Sequence, residues 1–166
     1  MVEWVVIVVQ WLHVLLGVLW FGNALAVAAI LIPTVNVLPL PIQRQVGGGY
    51  GDRATRIFEV VVPLIIVLGV IRGTLLGPID DIETLFGTAY GITWLVALVA
   101  AVGTWQWGRL AITPAIRHMN GLPLNADGSA PPELEPATDR VKRVVVLELV
   151  GFFVIFTCMI LMRFGL

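Results

Sequence analysis

Only one cysteine, Cys158, stands in the chain, which excludes an intramolecular disulfide framework. Histidine is nearly as scarce, with His13 and His118 alone, and lysine occurs once, at Lys142, against nine arginines. Charged residues make up 13% of the sequence and nearly cancel, to a formal net charge of -1, so there is no basic field for nucleic acid. No phosphate-cradling glycine motif precedes a helix in a nucleotide-fold context, and the GGGYGD run is too weak a match to carry one. A hydrolase nucleophile is missing as well. The only serine or cysteine placed to meet a histidine is Cys158 with His13, among apolar residues and without an oxyanion-hole motif.

What is abundant is apolar sequence. Hydrophobic residues reach 58% and the mean hydropathy is +0.96, values foreign to a soluble domain. Four long apolar segments, 4–33, 57–77, 89–112 and 144–164, fill most of the 166 residues. At about 20 residues per span they predict one transmembrane domain, 1–166, an all-α integral membrane four-helix bundle with no separate soluble domain. The first segment opens MVEW, with Glu3 where a secretory signal carries positive charge, and is expected to stay as a permanent helix.

Eight of the ten cations (Arg44, Arg53, Arg56, Arg109, Arg117, Arg140, Lys142 and Arg143) border the connections at about 34–56 and 113–143, whereas Asp80, Asp81 and Glu83 mark the middle one. The positive-inside rule then makes the first and third connections cytoplasmic and both termini external, N-out and C-out. Proline at Pro39 and Pro41 and the GGGYG run predict an irregular first connection, entering the second helix at Asp52 or Thr55. The third connection, rich in proline, glycine and acid, reads as a solvated loop.

Gly69, Gly73 and Gly77 recur every four residues and predict a small-residue seam, for a tight internal helix pair or for a homodimer. Trp4, Trp94, Trp105 and Trp107 read as interfacial anchors. Given heights of about 1.5 Å per residue, the polar residues fall into two layers. The outer one holds His13, Gln10, Arg72, Trp94, Cys158, Met159 and Met162; the inner one holds Asn23, Glu59, Gln106, Arg109 and Glu148.

His13 is the most informative of these, an ionisable, metal-competent side chain in lipid-length apolar sequence. Gln10, His13, Gly17, Trp20 and Ala24 share one helical stripe, so the imidazole faces a glycine that leaves room for something flat and bulky. Two readings of His13 stand side by side: a buried histidine bonded to a neighbouring carbonyl, or a ligand for haem b. His118 lies roughly 30 Å away in height, which excludes a bis-histidine haem within one protomer. Haem would be held by His13 alone or with Met159, Met162 or Cys158 opposite, and Arg72 would meet a propionate or else snorkel to headgroups. His13, Cys158, Met159 and Met162 also suit copper(I). Without a cofactor, the polar layers would serve packing in an accessory subunit of a larger membrane complex. In the inner layer Arg109 is expected to pair with Glu59 or Glu148.

The runs HVLLGVLWFGNALAVAAILIP and WLVALVAAVGTWQWGRLAITPAIRHM resemble the small four-helix bacterial membrane proteins of the DUF2269 type, and more distantly the copper-resistance D and HemJ-like membrane families. The residues that carry the resemblance are His13, the WFGN at Trp20 to Asn23, and the tryptophan followed by proline and basic residues at Pro114 to Arg117. Similarity to the HemJ-like proteins implies a haem-ligating histidine in an early helix, at His13. Their Pro-Arg pair after that helix is replaced by Ile32, Pro33 and Thr34.

Overall fold

A computed structural model describes residues 2–125 and 129–166, and all of its regular elements are helices. Helix α1 (Val2–Ala26) passes through a π-helical turn (Val27–Leu31) into α2 (Ile32–Asn36). After a turn comes α3 (Leu40–Gly73), then the short α4 (Ile82–Gly87). Helix α5 (Ala89–Trp107) runs through a second π-helical turn (Gly108–Ile112) into α6 (Thr113–Gly121), and α7 (Leu134–Arg163) closes the chain. Four rods result, Glu3–Asn36, Leu40–Gly73, Ala89–Gly121 and Leu134–Arg163, each long and apolar enough to cross a membrane.

Both π-helical turns have the same cause. Pro33 and Pro114 each stand at the second residue after the turn, where a proline ring would collide with the carbonyl four residues back. Widening the helix by one residue avoids the collision and keeps it continuous. The Ile32 N–H reaches the Val27 carbonyl, and the Thr113 N–H reaches that of Gly108, which also accepts the Thr113 hydroxyl at 3.0 Å.

The rods are longer than the apolar segments, and the first connection corrects the sequence reading most. It is a turn over residues 37–39, and α3 begins at Leu40 instead of entering at Asp52 or Thr55. Pro41 is tolerated in the first helical turn. The Gln43 side-chain amide ties down the turn by donating to the carbonyls of Asn36 (3.2 Å) and Leu38 (2.8 Å). The Tyr50 hydroxyl, inside the glycine run, donates to the Asn23 side chain and so joins α3 to α1. At 34 residues α3 is about 51 Å long, some 20 Å beyond a typical hydrocarbon core.

At its other end α3 stops at Gly73 instead of Gly77, because the chain folds back and Gly77 lies against the carbonyls of Arg72 and Gly73. The third connection shortens to residues 122–133, with α6 and α7 taking over its flanks; residues 126–128 of that expected loop lie outside the described residues. In the middle connection Asp81 caps α4, its carboxylate accepting the Thr84 N–H at 2.6 Å. The bond from the Thr84 backbone holds the Asp81 carboxyl below its ordinary range. Because the folded value is depressed, the cap is fully formed above the ordinary range and is lost as pH falls through the lowered value. Amide hydrogen exchange at Thr84 is expected to accelerate over that acid window, relative to the amides of α5.

The rods alternate in direction and form two close pairs, α1 with α3 and α5 with α7. In the second pair Gly151 leaves space that the Thr104 side chain occupies, and the Trp107 indole N–H donates to the Val144 carbonyl at 2.9 Å. Helices α1 and α7 meet only over a short stretch, through aromatic rings. Trp20 meets Phe152 edge-on at 4.7 Å between centroids, and Phe21 stacks on Phe152 at 5.3 Å. Trp20 and Phe152 form the buried core with Val62 and Ile65, and Phe21 packs against it half-buried. Towards the end that carries both termini, α1 and α7 part above this aromatic floor.

Candidate functional site

The parting of α1 and α7 creates a cavity of about 1040 Å³, at the upper end of the range for small-molecule and cofactor sites. Trp20, Phe21 and Phe152 form its floor, Ala97, Leu98 and Ala101 one wall, and His13 and Gly17 another. The predicted stripe of the first helix is therefore its lining: Gln10, His13, Gly17 and Trp20 all face in, while Ala24 packs against the core below.

His13 is fixed from α3. Its Nδ1 lies 3.0 Å from the Ile65 carbonyl, and since a carbonyl only accepts, Nδ1 carries the hydrogen. Nε2 is then the lone-pair nitrogen of the neutral ring. A backbone carbonyl holding one ring N–H is the arrangement that orients metal-binding histidines. The ring edge rests against Gly69, where an added Cβ would stand 3.0 Å from Cε1. At Gly17, one turn along α1, a Cβ would meet nothing within 4 Å. The imidazole is thus packed on its α3 side and open along α1.

The glycine seam is filled from within the chain. Gly69 receives His13, and the Trp94 indole occupies the place a Gly73 side chain would take, with its N–H directed to the Gly69 carbonyl at 3.4 Å. Trp94 is accordingly half-buried and packs against α3, whereas Trp4, 72% exposed, packs little. Of the two contacts expected of the seam, Gly69 and Gly73 make the internal one.

The outer layer divides. Arg72, Met159 and Met162 line the cavity with His13, but Cys158 does not. Cys158 is buried seven residues from Gly151, on the α7 stripe that meets α5, about 100° round the helix from Met159. Among the described residues no three His, Cys, Asp or Glu side chains gather closely enough to hold a metal ion. His118 is exposed on α6 and does not line the cavity. Arg72 donates from Nη1 to the Leu76 carbonyl at 3.0 Å, while its Nε is buried with no hydrogen-bond partner among the described residues.

Among the described residues the inner layer forms no ion pair: Arg109 lies over the Trp105 ring at 5.4 Å, Glu59 and Glu148 have no cation within ion-pair distance, and the one pair is Lys142 with Asp139 at 3.1 Å. Glu148 instead lines a small pocket with Gly103, Thr104 and Trp107. A π-helical turn carries Arg109 round the helix, a shift that hydropathy patterns do not reveal.

Two polar cavity residues escape the sequence reading, Tyr90 at the start of α5 and Arg163 at the end of α7. The signal for Arg163 was present: with Arg72 it is one of the two cations outside the basic end. Fold and site together define an all-helical bundle, with four helices long and apolar enough to cross a membrane, around one aromatic cavity with a polar rim. Comparison with protein-family models, with curated proteins and with solved structures yields no match.

Proposed function

We propose that this chain is a multi-pass protein of the bacterial cytoplasmic membrane, N-out and C-out, that binds haem b through His13 in a redox or haem-handling role, as its resemblance to DUF2269-type and HemJ-like proteins implies. The membrane reading is supported by large apolar side chains exposed on all four rods, among them Ile30 (65% exposed), Val60 (68%), Val99 (64%) and Val146 (58%). The orientation is supported by eight of ten cations lying at the end opposite the termini.

One observation carries the haem reading. His13 has one ring nitrogen committed to the Ile65 carbonyl, and it lines a cavity that stays open beside Gly17. A porphyrin suits this donor set better than a bare ion, because it brings four nitrogens of its own and asks the protein for one or two axial groups. His13 would hold it, Met159 and Met162 are further donors on the same cavity lining, and the bound iron would supply one-electron chemistry. The same two methionines keep copper(I) as the second reading, now without Cys158; the metal content of the purified protein separates the two. A colourless, metal-free bundle would leave the accessory-subunit reading.

Gly17→Leu tests the cavity. Its new side chain enters open space, so the helical bundle is expected to persist while haem content falls by about tenfold or more through occlusion. Unchanged haem content, read from the Soret band against protein absorbance, would place the cofactor elsewhere.

A further inference from the structure

Every helical rod contributes one polar side chain to the terminal end of the cavity: Gln10 from α1, Arg72 from α3, Tyr90 from α5 and Arg163 from α7. Below this ring the lining turns apolar and aromatic within two helical turns, down to Trp20, Phe21 and Phe152. The ring is cationic. Neither guanidinium has a carboxylate within ion-pair distance among the described residues, and Arg72 Nε is buried and unpartnered. Eight of the ten cations lie at the opposite end of the bundle, and the two that do not, Arg72 and Arg163, line the same cavity. Headgroup snorkelling would spread such residues around the bundle, and the helix C-terminal carbonyls would account for Arg72 Nη1 on Leu76 but not for the idle Nε.

We propose that Arg72 and Arg163, aided by Gln10 and Tyr90, form an anion-recognition rim that selects amphiphiles with a flat apolar body and two carboxylates at one edge. The inference rests on the haem reading for the class of body, a tetrapyrrole, and adds how it is oriented: carboxylates at the terminal end, apolar edge on the aromatic floor. Guanidinium groups match carboxylates through two parallel hydrogen bonds, and such bonds strengthen away from bulk water.

Metal-free protoporphyrin IX tests the rim without iron or an axial ligand. Its fluorescence is followed as detergent-solubilised protein is titrated, beside the dimethyl ester, which has the same body and no charge. The wild-type protein is expected to bind the diacid about tenfold or more tightly than the ester. Arg72→Gln with Arg163→Gln should abolish that preference, and Arg140→Gln, at the basic end, should preserve it. Equal binding of acid and ester by the wild type, or a preference that survives the double substitution, would overturn the rim. A diacid preference without any His13-dependent spectrum on adding haem would sink the axial role of His13 and leave the rim standing. If neither porphyrin binds, both readings fall.

Discussion

His13→Ala is expected to yield a folded, helical protein with its haem lost, a fall of at least about tenfold in Soret absorbance per protein. The fold should survive because little else depends on the ring. The substitution frees the Ile65 carbonyl, a loss of about 1 kcal/mol, and adds space to a cavity that is already open. Core packing among Trp20, Val62, Ile65 and Phe152 lies below it and stays intact. His118→Ala, exposed on α6, serves as the comparison and should leave the spectrum unchanged. Full haem content in His13→Ala, with native circular dichroism, would show that another residue holds the iron.

Gly73→Leu is expected to do the reverse and break the bundle. The Trp94 indole already fills the position of a Gly73 side chain, and Trp94 is a rigid ring directed at the Gly69 carbonyl, with little freedom to move aside. Either α3 and α5 separate or the indole leaves the interior. Overpacking of this kind costs about 1–3 kcal/mol where neighbours can yield, and a rigid ring puts this site at or above the upper limit. A shift to lower denaturant in detergent unfolding, with indole fluorescence moving towards the solvent-exposed range, is the expected readout. Gly17→Ala, facing open space, should leave the midpoint in place. An unchanged midpoint in Gly73→Leu would mean that Trp94 does not pack on α3.

Hydropathy located the four rods, because uninterrupted apolar sequence of that length has few other folds available. The stripe from Gln10 to Trp20 was legible for a similar reason: helical spacing alone brings these residues to one face, and the cavity lies on it. The true start of α3 was not legible. Four glycines in the GGGYG run each argue against helix by about 1 kcal/mol, and the prolines just before it read as turn signals, yet the segment is helical from Leu40. Tertiary contacts such as Tyr50 with Asn23 outweigh local propensity there.

Depth alone misled where facing mattered. Cys158 and Met159 share a height but not a side of α7, and only Met159 reaches the cavity. Arg109 and Glu148 share a depth, but the π-helical turn before Pro114 and the nearby Trp105 ring give the guanidinium a different neighbour. Arg163 drew no reading from the sequence, because a cation closing the last helix is ordinary there; the structure puts it on the lining of the cavity that Arg72 also lines.

The most direct test of a haem held in this cavity is a reduced-minus-oxidised visible spectrum of the detergent-purified protein, grown with added haem precursor, with metal analysis of the same sample. A Soret band with α and β peaks and stoichiometric iron is the predicted result. A flat spectrum and no iron would contradict haem binding. Copper in that sample would move the reading to His13 with Met159 and Met162, and the absence of any metal would move it to a packing role in a larger membrane complex.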